Sequence, residues 1–94
     1  MQQRFSELRC KEVINICDGA RLGYVDDLVL ELPQGQVIAL IVPGPSCFFG
    51  LFGRECDYYI PWPCIKRMGD DIILVDVIPE QIKQPKHKMK KKIL

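Results

Sequence analysis

From about residue 10 to residue 78, short aliphatic or aromatic runs alternate with turn-forming residues. The breakers are Asp18-Gly19, residues 33–35, residues 43–45, Gly50 and Gly53, Pro61 and Pro63, and Gly69-Asp70. The runs between them, at 12–16, 22–32, 36–42, 55–60, 64–68 and 71–77, are rich in β-branched and aromatic residues and predict strands. No window up to residue 78 sustains the three-to-four-residue apolar spacing of a helix. Short strands at such spacing predict a small sandwich or barrel, and a barrel removes exposed sheet edges by closing on itself.

Local chemistry sharpens three of these elements. LPQGQVIALIV predicts a hairpin, with Pro33-Gln34-Gly35 as the turn and VIALIV, residues 37–42, as a fully buried strand. MGDDIILVDV repeats the pattern around Gly69-Asp70. In DGARLGYVDDLVLEL, residues 18–32, Asp18-Gly19 supplies the turn, because glycine adopts the positive φ it needs. Gly23 predicts a bulge or the close approach of a neighbouring strand. Asp26-Asp27 breaks the alternation of Leu22, Tyr24, Leu28 and Leu30, which predicts a bend in the sheet.

After residue 78 the pattern changes. PEQIKQPKHKMKKKIL can start a helix at Pro79, and Pro85 would break it. The predicted organisation is therefore one domain over residues 1–78 and a Lys-rich tail over 79–94. Charge divides along nearly the same line. Residues 83–94 hold six lysines and no acid, leaving 13 − 6 = 7 basic against 12 acidic residues in 1–82, a net of −5. A near-neutral chain is thus an acidic body with a basic extension.

Composition, at 48% hydrophobic and 27% charged, is that of an ordinary globular domain. MQQRFSELRCKEV has no apolar run behind its charges, so no secretory leader is expected. The VIALIV run is too short to span a bilayer. The expected location is the cytoplasm. The five cysteines (10, 17, 47, 56 and 64) are odd in number and lack close pairs, which predicts free thiols in a reducing compartment.

These stretches, in this order, resemble the PRC-barrel domain. The Asp-Gly turn, Leu-Gly, Val, Asp and aliphatic strand of DGARLGYVDDLVLEL are similar to that domain's opening hairpin. GQVIALIVPG is similar to its next strand, and YYIPWPCIKRMGDDIILVD to its closing part. SELRCKEVINICDG is similar to its start, although a glycine more often stands at the position of Cys10. FFGLFGRECDYYIPW resembles the short, stand-alone, sporulation-associated YlmC/YmxH-like group of spore-forming Firmicutes. The resemblance covers about residues 5–77. It implies an all-β fold, a small closed or nearly closed antiparallel barrel with a short basic C-terminal tail. It also implies a non-enzymatic adaptor, because related domains in a ribosome maturation factor and a photosynthetic reaction centre subunit dock onto larger assemblies. It brings no catalytic residues and no cofactor.

The residues themselves offer little chemistry. Asp26 and Asp27 lack the spaced oxygen ligands a hard cation needs. The cysteines lack the paired spacing of a zinc site. Cys47 and Cys56, in a Gly-rich loop beside Arg54, are the candidates for a redox role. The single histidine, His87, lies in the lysine run, away from any candidate nucleophile. GLFG lacks the lysine and spacing of a phosphate-binding loop.

Two features point to partners. Residues 45–59 place Phe48, Phe49, Leu51 and Phe52, followed by Tyr58, among glycines. These side chains either cap one end of the barrel or stay exposed as anchors for a protein partner. The same loop or a sheet edge could also mediate a homodimer. Lys86, Lys88, Lys90, Lys91 and Lys92 either solubilise the tail or contact RNA, DNA or an anionic membrane. Hence the alternative reading is an RNA- or ribosome-associated factor using that tail. Pro61 and Trp62 are expected at a turn, with Trp62 in the core.

Overall fold

A computed structural model of the chain describes residues 2–46 and 55–85. Its elements are a one-turn helix α1 (Phe5–Leu8) and strands β1 (Glu12–Asn15), β2 (Arg21–Tyr24), β3 (Asp27–Glu31), β4 (Gln36–Ser46) and β5 (Glu55–Pro61). A 3₁₀ turn over Trp62–Cys64 leads into β6 (Ile65–Met68) and β7 (Ile72–Val75). A one-turn helix α2 (Pro79–Ile82) and strand β8 (Lys83–Pro85) follow. Pro79 stands in the first turn of α2, where its missing N–H costs nothing.

The strands form two four-stranded sheets, ordered β2-β1-β7-β6 and β3-β4-β5-β8. Closure into a barrel is not seen among the described residues. Among the described residues no ladder joins the two sheets, and β1 pairs with β7 in parallel, Glu12 opposite Ile72 through Asn15 opposite Val75. The other strand pairs among the described residues are antiparallel. The fold is β-rich, as the pattern predicts, with the sheets packed face to face rather than sealed.

The turn residues act as the sequence suggests. In the β1–β2 turn the Asp18 carboxylate accepts the Ala20 N–H at 2.9 Å and Gly19 has φ 72°. The expected bend falls at Val25-Asp26. There the chain leaves the first sheet and enters the second, with Val25 buried and the Asp26 N–H donating to Ile41 O at 2.8 Å. The Asp27 carboxylate accepts the next amide, that of Leu28, at 2.8 Å. Both aspartates thus serve a corner. Gly23, at φ 126°, lies where β2 crosses β4, and a Cβ there would sit 3.2 Å from Val42 Cγ1. Close approach of the two sheets needs the absence of a side chain there.

The core lies between the sheets. Val13, Leu22, Ile73 and Val75 from one sheet meet Leu40, Val42 and Ile60 from the other, closed by Leu8, Val25 and Val77. The VIALIV run is only partly buried, against expectation: Ala39, Leu40 and Val42 are enclosed, while Val37, Ile38 and Ile41 are half-buried. Nothing in a two-layer packing covers every outward position of β4.

Two polar side chains lock the sheet ends. Asn15 is fully buried. Its Nδ2 donates to Val77 O at 2.9 Å, and its Oδ1 accepts the N–H groups of Val77 at 3.2 Å and Cys17 at 3.3 Å. Lys11, nearly buried, donates from Nζ to Gly69 O at 2.6 Å and ties the β6–β7 turn to the start of β1.

Candidate functional site

The Asn15 clamp positions residues 76–78, and these form one wall of an open groove. Val77 is held inward by both its N–H and its C=O, so Asp76 and Ile78 on either side of it point outward. The Asp76 N–H donates to Cys64 O at 2.9 Å and joins this wall to the 3₁₀ turn. Pro61 and Cys64 form the opposite side, and Gln81 and Ile82 of α2 complete the groove, whose volume is about 390 Å³. The lining is mostly apolar, and its one carboxylate among the described residues is that of Asp76.

Two large apolar side chains stand exposed here. Ile78 is 54% exposed and lines the groove; Trp62, next to Pro61, is 42% exposed. Trp62 therefore departs from its expected place in the core. The 3₁₀ turn that begins at Trp62, with Pro61 before it and Pro63 within it, aims the indole outward. Glu80 on α2 is paired with Lys83 at 3.2 Å.

The structure places the sequence candidates as follows. Phe48, Phe49, Leu51 and Phe52 lie outside the described residues, as do Lys86, Lys88, Lys90, Lys91 and Lys92. Tyr58 is half-buried and packs against the core, its ring beside Gly44. Asp18, Gly19, Gly23, Asp26 and Asp27 build the turn and the corner described above, and Pro61 ends β5.

The cysteines require a correction. Cys10, Cys17 and Cys64 are free, but Cys56 is disulfide-bonded. It is also buried, because it shares the inward phase of β5 with Tyr58 and Ile60. Cys56 is thus neither exposed nor a free thiol in this structure.

The groove itself was not anticipated. Its apolar members, Pro61, Val77, Ile78 and Ile82, are spread over 22 positions, 61 to 82, and meet only when β5, β7 and α2 pack. Asn15 was also missed, although a signal existed: it is a polar residue in the inward phase of an aliphatic strand, two positions from Val13.

Comparison with known proteins agrees with this architecture. The model of the PRC-barrel domain matches residues 2–82. The chain belongs to the PRC-barrel domain family. It is 37% identical over 70 residues to the "Probable sporulation protein YlmC" of Bacillus subtilis, covering 74% of this chain and 86% of that protein. It is 38% identical over 81 residues to the "Uncharacterized protein YmxH" of the same organism, covering 84% and 93%. A Clostridium acetobutylicum protein is 38% identical over 69 residues, covering 73% and 78%. The PRC-barrel match runs through α2, so the last wall of the groove lies inside the family's domain. No helix among the described residues is long and apolar enough to cross a membrane.

Proposed function

We propose that this PRC-barrel protein is a non-enzymatic adaptor that docks a cytoplasmic protein partner in the groove between the 3₁₀ turn and α2. The observation that carries this reading is exposed Ile78 in the lining of a mostly apolar groove, with Trp62 exposed next in sequence to Pro61 of its wall. Large apolar side chains at the rim of a concavity are the usual anchors of protein interfaces, because they bury much area when covered. The name of one relative, "Probable sporulation protein YlmC", supports sporulation as the process served. The test is affinity capture from sporulating cells with mass spectrometry, comparing the parent with Ile78→Asp. A specific protein held by the parent and lost from a normally folded variant is the expected result. An identical catch from both would refute the groove as the docking site. A catch of ribosomes or RNA that disappears with added salt would favour the tail-based alternative instead.

A further inference from the structure

Among the described residues the groove has an apolar lining, one carboxylate and no cationic side chain. The body that carries it is acidic, with 7 basic and 12 acidic residues in 1–82. The segment that follows the described chain, KHKMKKKIL at 86–94, has complementary chemistry: five lysines with Met89, Ile93 and Leu94. Its starting point is also close. Ile82 lines the groove and Pro85 ends β8 only three residues later, about 10 Å along an extended strand.

Pairing of β8 with β5 runs from Tyr58 opposite Lys83 to Cys56 opposite Pro85, so the chain leaves β8 heading away from the groove. Nine residues can span up to about 30 Å. That is enough for a reversal and a return past Ile82.

Resting on the docking reading above, we propose that residues 86–94 occupy the groove of their own protomer, an aliphatic side chain seated against Pro61, Val77 and Ile78 and a lysine beside Asp76. The segment is a tethered competitor. Its effective concentration at the groove is in the millimolar range or above for so short a link, so modest contacts suffice. A partner must then displace it, and the groove selects for ligands that are apolar and basic together.

Zero-length carbodiimide coupling of the full chain, followed by peptide mass spectrometry, tests this. Glu80 and Lys83, already paired, provide an internal positive control. The expected product is a monomer with a bond between Asp76 and a lysine of 86–92. It should be independent of protein dilution, suppressed by salt and absent in Asp76→Asn. A Glu80–Lys83 product without any Asp76–tail product would overturn the proposal. So would an Asp76–tail bond found only between two protomers, rising with concentration. Neither failure touches the adaptor reading, whose own readout is the loss of a captured partner in Ile78→Asp.

Discussion

Replacing Asn15 with alanine should destabilise this domain more than any exposed substitution. Its side chain makes three hydrogen bonds, two of them to the N–H and C=O of Val77, and no part of it reaches solvent. An unpaired buried backbone group costs about 1–3 kcal/mol, and alanine orphans both groups of Val77. The summed loss is roughly 2–5 kcal/mol, against a total of about 5–14 kcal/mol for a chain of this length. With a urea m-value of about 1–2 kcal/mol/M, the midpoint should fall by roughly 1–3 M. Far-UV circular dichroism during urea titration measures it. A second variant checks the cause. Asn15→Asp keeps both acceptor bonds but removes the donor to Val77 O and buries a carboxylate beside that carbonyl. Complete burial and repulsion from that carbonyl raise the folded-state pKa of the new acid above its unfolded value, against the smaller lowering by the two retained N–H bonds. Its deficit should therefore grow as pH rises from about 4 through the folded pKa, and shrink on acidification. An alanine variant within about 0.5 kcal/mol of the parent at unchanged m would refute the clamp.

Three further outcomes are expected. Gly23→Ala should cost about 1–3 kcal/mol, because it forces a side chain into positive φ and against Val42; thermal melting would show it, and an unchanged melt would mean the sheets can separate there freely. Ile60→Ala, fully buried near the end of β5, should cost about 2–5 kcal/mol, while Ile78→Asp, 54% exposed, should stay within about 0.5 kcal/mol; similar losses from both would contradict the burial pattern. Arg21→Ala breaks an exposed pair with Glu12 at 4.0 Å and should shift stability by less than about 0.5 kcal/mol, with a larger effect arguing for a stronger pair than solvent screening allows.

The hairpins were legible because turn chemistry is local. Pro33-Gln34-Gly35 and Gly69-Asp70 announce themselves within a few residues, and β3–β4 and β6–β7 follow. The corner at Asp26-Asp27 was legible for the same reason, as a break in alternation. Parallel pairing of β1 with β7 was not, since nothing near Glu12 or Ile72 encodes a neighbour 60 positions away. Trp62 misled because an aromatic between prolines resembles a core residue, whereas the 3₁₀ turn decides where it points. The groove was illegible on the same grounds as the parallel pair: its walls come together only in three dimensions.

That parallel pair also sets an order for synthesis. β1 leaves the ribosome well before β7, and its hairpin with β2 needs only residues up to Tyr24. Its other edge, and the Asn15 amide that closes on Val77, wait until Ile72 to Val77 have been made. Through that interval β1 is a short strand with an open side and two aliphatic side chains, Val13 and Ile14, the kind of template that recruits neighbouring nascent chains. A ribosome stalled before Ile72 would hold a product unable to protect itself, and the hazard ends when Val75 and Val77 arrive to fasten the first strand with nearly the last.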